Sequence, residues 1–135
     1  MGNTLLRRAL RAVGRGDRSV AEAALADLID AADVPAPERL TVLQTSIGPV
    51  TPDFLWPRLG LYAQVDGREW HLTPEDWQHD LERQNALAVL GLTPLRYPAI
   101  AVLRRGREVM RRLETELRRR QAGIVREVPI DRDVG

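Results

Sequence analysis

The sequence predicts an α/β domain of three layers, a mixed central sheet flanked by helices. Three observations carry that prediction. Apolar residues recur at helical spacing near both ends of the chain, as in Val109, Leu113 and Leu117. Two short apolar runs around Phe54 and Tyr62 are separated by Pro57 and Gly60, which reads as an antiparallel hairpin. A further run, Leu92 to Tyr97, is reached only after a long helical stretch, the sequence form of a crossover to a parallel strand.

In chain order, Leu5 to Ala12 is a short basic amphipathic segment ending near Gly14 and Gly16. Ser19 then opens a stronger helix, with Glu22 three residues on at capping-box spacing, running to about Ala32 before Pro35 and Pro37. Leu40 to Thr45 reads as a strand and Gly48-Pro49 as a turn. Val50 to Leu55 and Leu61 to Val65 are the hairpin strands. Thr73-Pro74-Glu75-Asp76 is a helix start: Thr caps, Pro takes the first turn, and the acids suit the positive end of the helix dipole. That helix runs to about Leu90 and stops at Gly91. The Leu92 to Tyr97 strand ends at Pro98, and a last helix covers Arg105 to Gln121. The expected unit is one domain over residues 1–121 with a tail over 122–135.

Composition narrows the chemistry. At 135 residues and 44% hydrophobic content, one domain can bury a core. No apolar run reaches the length of a membrane span, and the Arg-bearing start lacks a secretory apolar core, so a cytoplasmic protein with no membrane partner is expected. With no cysteine there is no disulfide, zinc-thiolate site or thiol nucleophile. All 20 basic residues are Arg. No Lys is present to act as a base, Schiff-base former or phosphate hook, and anions must be met by Arg, His, backbone amides or metal.

Asp53, Gln64 and Asp66 are the strongest candidates for chemistry. Gln64 and Asp66 are two apart on a strand and share a face, and a neighbouring strand can set Asp53 opposite them. Convergent acid and amide oxygens suit a hard divalent cation that activates water against a phosphodiester. The same residues also read as ordinary hairpin acids in solvent. Glu22 reads first as the capping partner of Ser19, and otherwise as a further carboxylate aimed at the metal from the N-terminal helix. His71, just past the hairpin, can relay a proton or touch a phosphate, whereas His79 reads as surface. Asp80 and Arg83 share a helix face, as an intrahelical ion pair or with Arg83 turned to phosphate. The arginines from Arg104 to Arg120 fit either a solvated face or nucleic-acid backbone contact.

Five pieces in order resemble one family: Ser19-Val20-Ala21-Glu22, Pro52-Asp53-Phe54, Val65-Asp66-Gly67-Arg68-Glu69-Trp70-His71, Asp80 to Leu87, and Gly91 to Tyr97. Together, over roughly Asp17 to Leu117, they resemble the PD-(D/E)xK nuclease superfamily. The resemblance is closest to very-short-patch mismatch-repair endonucleases and related small bacterial endonuclease-domain proteins.

The resemblance implies a restriction-endonuclease-like core and a Mg²⁺- or Mn²⁺-dependent DNA endonuclease. In that light Asp53 matches the invariant metal-binding Asp, and Gln64 stands where the second acidic ligand is expected. Asp66 stands at the superfamily's Lys position, where many of the small relatives already carry Asp. Glu22 matches the helix carboxylate that completes the metal site, and His71 a catalytic histidine of the mismatch-repair branch. Arg68 and Arg83 are the expected phosphate contacts.

The chain departs from the pattern at Gln64, which keeps an oxygen but loses a charge. Unit charges at ~4 Å and an effective dielectric near 20 interact by about 4 kcal/mol, which bounds that loss. The alternative expectation is therefore a catalytically impaired nuclease fold that binds DNA or serves as a regulatory module, paired with a second copy of itself or with a partner protein.

Overall fold

The computed structural model describes residues 2–67 and 73–123, with side chains from residue 17 onward. Among the described residues it is a small α/β domain of four helices and two small sheets. Helix α1 spans Gly2–Ala31 as a single element. The separate basic segment and the helix start expected at Ser19 are therefore one helix, in which Ser19 is internal and Glu22 is no capping partner. Glycine inside a helix costs about 1 kcal/mol against Ala, so Gly14 and Gly16 weaken the helix without ending it among good helix formers such as Ala, Arg and Leu. Docking compensates: Ala21, Leu25 and Ile29, each one turn apart, are buried against the sheet.

Strands β1 (Leu43–Thr45) and β2 (Gly48–Val50) form a small antiparallel hairpin. The strand expected from Leu40 starts three residues late because Leu40 has φ 62°, a left-handed conformation that no strand contains. Gly48 and Pro49, expected as the turn, lie in β2, and the turn falls on Ser46 and Ile47. There the Thr45 hydroxyl accepts from the Ile47 amide at 3.2 Å and donates to the Gly48 carbonyl at 2.7 Å.

The larger sheet has the order β3-β4-β5. β3 (Phe54–Trp56) pairs antiparallel with β4 (Leu61–Asp66), with Phe54 opposite Ala63. A single 3₁₀ turn over Pro57–Leu59 joins them. The first hairpin strand, expected over Val50 to Leu55, is shorter, since Val50 belongs to β2 and Pro52, which has no N–H for a ladder, lies between β2 and β3. Helix α2 (Pro74–Val89) makes the crossover to β5 (Thr93–Pro98), which pairs parallel with β4 from Leu61↔Thr93 to Asp66↔Pro98. Thr73 closes a full capping box, its hydroxyl accepting from the Asp76 amide at 3.1 Å while Asp76 accepts from the Thr73 amide. The helix ends as expected at Gly91, whose φ of 87° needs a residue without Cβ.

Beyond Pro98 the chain makes a short helix the sequence reading lacks, α3 (Ala99–Arg104), and then α4 (Gly106–Gln121). A Cβ at Gly106 would meet Leu28 Cδ1 at 3.1 Å, so a glycine marks the point where α4 comes close to α1. Ala122 and Gly123 close α4. The rest of the expected tail lies outside the described residues.

Strand alternation sorts the core into two sides. Leu61, Ala63 and Val65 of β4 pack with Phe54, Trp56 and the buried residues of α1, α3 and α4. Tyr62 faces the other way, with Leu55, Val50 and Leu87 of α2. Helices therefore cover both faces of the mixed sheet. Gln64 and Asp66 follow Tyr62 on the α2 side.

Candidate functional site

Asp53 immediately precedes β3, and the β3–β4 register extended by one residue sets it opposite Gln64. Its segment is held from several directions. Pro52 is fully buried. Arg83 Nη2 donates to the Thr51 carbonyl at 3.0 Å, and Arg39 Nε donates to the Asp53 carbonyl at 2.8 Å. The carboxylate is only 9% exposed, with Oδ2 accepting from the Val65 amide at 2.9 Å and Oδ1 lying 3.7 Å from Arg18 Nη2. Asp53 thus supplies by side chain an acceptor for a β4 amide beyond the end of β3, and it keeps one oxygen toward Arg18.

Glu22 reaches this edge from α1 through an intermediary. Arg39 Nη2 donates to Glu22 Oε1 at 2.9 Å while the same guanidinium lies 4.3 Å over the Phe54 ring. Glu22 and Asp53 are brought together through Arg39, one by its carboxylate and the other by its backbone.

Gln64 is 7% exposed, the most deeply buried polar side chain of the core. No described residue hydrogen-bonds its amide. Burying an amide without partners costs about 1–3 kcal/mol on protein scales.

Asp66 has a different environment. Both its oxygens sit in the fork of Arg96, the β5 residue paired with Gln64: Nε to Oδ2 at 2.9 Å and Nη2 to Oδ1 at 2.8 Å. Arg96 also bonds both oxygens of Asp80 at 2.8 and 3.1 Å, and Gln84 Oε1 at 2.9 Å. Its five N–H donors are all used, within a cluster of two carboxylates and one guanidinium. The paired Asp66 and Asp80 carboxylates hold the guanidinium protonated well above its ordinary range. Burial raises the neighbouring Tyr62 phenol above its usual value, against the pull of Arg96.

The expected residues therefore divide. Asp53 and Gln64 lie opposite each other; Glu22 is tied to the Asp53 edge by Arg39; Asp66 belongs to the Arg96 cluster. Arg83 bonds the Thr51 carbonyl rather than Asp80, so the intrahelical pair is not formed. Arg68 and His71 lie outside the described residues. Among the described residues, no three His, Asp or Glu side chains gather in a way that could hold a metal ion. Of the expected donors among the described residues, Gln64 has no side-chain hydrogen bond, and Asp53 has the longest ion pair, 3.7 Å to Arg18. One carboxylate and one amide oxygen would hold magnesium only with water and substrate phosphate completing the shell.

Sequence reasoning missed the three arginines that organise this region. Arg96 left a trace, being the one charged residue in the strand Thr93–Pro98. Arg18 and Arg39 left none, since their partners are set by where α1 crosses the sheet. No family model, curated protein or solved structure matches this chain.

Proposed function

We propose that this chain is a restriction-endonuclease-like domain that hydrolyses DNA phosphodiester bonds with Mg²⁺ or Mn²⁺ held at Asp53 and Gln64. The observation that carries the reading is the buried Gln64 amide, without a partner among the described residues and set opposite a carboxylate at a strand end. Bound there, such a cation would supply Lewis acidity, lowering the pKa of a water and screening phosphate charge. The chain's own residues do the rest. Asp53 provides a fixed anionic oxygen, held by the Val65 amide. Gln64 provides a neutral oxygen in a water-poor position. Arg18, 42% exposed beside Asp53, offers N–H donors to a phosphate oxygen in this reading. His71 remains the proposed proton relay and Arg68 a phosphate contact.

The test is cleavage of duplex, nicked and mismatched DNA in Mg²⁺ or Mn²⁺, with Asp53→Asn as the control. Metal-dependent cleavage abolished by that substitution supports the reading. Intact DNA at high protein concentration in both metals overturns it.

A second reading has its own support. Arginines engage all three carboxylates expected at the metal: Arg18 lies by Asp53, Arg39 by Glu22 and Arg96 by Asp66. With Gln64 neutral, this suits a nuclease fold that binds DNA without cutting it. That reading requires salt-sensitive DNA binding indifferent to divalent metal.

A further inference from the structure

Charge is segregated along this chain in a way its net value of +1 conceals. From Arg104 to Gln121 there are eight arginines and three glutamates, a net of +5, while the rest of the chain carries twelve basic and sixteen acidic residues, a net of −4. Helix α4 holds most of that excess on one side. Its inner face is apolar, with Val109, Met110, Leu113 and Leu117 buried. Its outer face exposes Arg107, Arg111, Arg112, Arg118 and Arg119, with Thr115 and Gln121 as the remaining exposed residues.

The three glutamates neutralise only part of this face. Glu108 pairs with Arg112, Glu114 with Arg118, and Glu116 with the half-buried Arg120. Among the described residues, no acid pairs with Arg107, Arg111 or Arg119. Arg107, Arg111 and Arg118 recur at spacings of four and seven, so they align along the helix.

We infer that the outer face of α4 is a binding surface for the sugar–phosphate backbone of duplex nucleic acid, separate from the Asp53–Gln64 site. α4 packs on the Leu61, Ala63 and Val65 face of the sheet, and Gln64 belongs to the opposite face. An acidic protein is the less fitting partner. Protein interfaces centre on buried apolar or aromatic anchors, and the exposed residues of α4 include none. Backbone phosphates need only charge and planar donor forks, which arginine supplies. Sixteen helical residues extend about 24 Å, on the order of seven base pairs of duplex, so several arginines can engage phosphates together.

The experiment is fluorescence anisotropy in EDTA over a series of salt concentrations. The probes are a labelled DNA duplex, an RNA duplex of the same length, and polyglutamate. The variants are Arg107→Glu/Arg111→Glu and the milder Arg107→Gln/Arg111→Gln, both checked for helicity by circular dichroism. The expected result is at least about a tenfold loss of duplex affinity in the first variant and a smaller loss in the second, with the salt slope reduced by up to about 1.8. Equal losses for both duplexes assign the surface to the shared backbone, and a loss for one alone assigns it to that nucleic acid. Unchanged duplex affinity in both folded variants overturns the inference, as does polyglutamate binding as tightly as duplex. Because EDTA removes cleavage from the measurement, α4-dependent binding survives failure of the nuclease reading, and metal-dependent cleavage survives failure of this one.

Discussion

Arg96 grips both carboxylate oxygens of Asp66, Nε on Oδ2 at 2.9 Å and Nη2 on Oδ1 at 2.8 Å. The same guanidinium holds Asp80 on α2. One side chain on β5 therefore joins β4 and the crossover helix. A residue at a position expected to serve a metal is, in the folded chain, one end of a structural clamp.

Removing that clamp leaves two carboxylates facing each other with no cation between them. Breaking a buried pair costs about 3–5 kcal/mol, and these partly exposed groups are screened, so Arg96→Met is expected to cost about 2–3 kcal/mol. Arg96→Lys should restore only part of this, because an ammonium lacks the fork that holds two carboxylates bidentately. Urea unfolding measures both, and an unchanged midpoint for Arg96→Met would show that the cluster contributes nothing to stability.

Asp53 carries a structural duty alongside any chemical one. Asp53→Ala leaves the Val65 amide without its acceptor and is expected to destabilise by about 1–3 kcal/mol. Asp53→Asn keeps an oxygen for that amide and should cost less than half as much, which is why it is the proper control for cleavage. Equal thermal midpoints for the two variants would contradict this division.

Gln64→Glu places a second carboxylate opposite Asp53 at a position 7% exposed. In EDTA the variant should be less stable than the parent by about 2–3 kcal/mol, from desolvation and like-charge repulsion. Mg²⁺ or Mn²⁺ should recover that stability and raise cleavage if the pair holds a cation. Calorimetry with and without metal reads the first effect independently of activity, and a midpoint that ignores metal would sink the Asp53–Gln64 pairing as a cation site.

Tyr97 gives a pH signature. Burial, reinforced by the nearby Glu116 charge and opposed by Arg112, pushes its phenol up to about 12. The unfolded chain ionises at its ordinary value near 10 and so loses this proton first. The contribution is complete below about pH 10 and declines as pH rises toward 12. Tyr97→Phe should flatten the alkaline limb of the stability profile, and an unaltered slope between those values would contradict the assignment.

The elements that local pattern specifies were legible. Thr73, with Pro74 and two acids behind it, marks a helix start, and Gly91 marks its end, because cap chemistry is settled within one turn. The hairpin follows from two apolar runs broken by Pro57 and Gly60, although its first strand, expected over Val50 to Leu55, is confined to Phe54–Trp56. Leu40 was misread because nothing in its neighbours announces a left-handed backbone. Ser19 was misread because a good capping residue is also a tolerated helical one, and only docking of α1 shows that the turn before it is helical.

The candidate site divides along the same line. Strand periodicity alone put Gln64 and Asp66 on one face and brought Asp53 to the neighbouring strand, since side chains two apart must point the same way. Their partners were beyond its reach. Arg96 meets Asp66 because β5 lies parallel beside β4, and Arg39 meets Glu22 because α1 crosses the sheet near β3. Those pairings join residues 17 to 30 positions apart, and no local rule encodes them. The sequence by itself determined which oxygens share a face; tertiary packing decided which are already held by arginine and left Gln64 buried opposite Asp53.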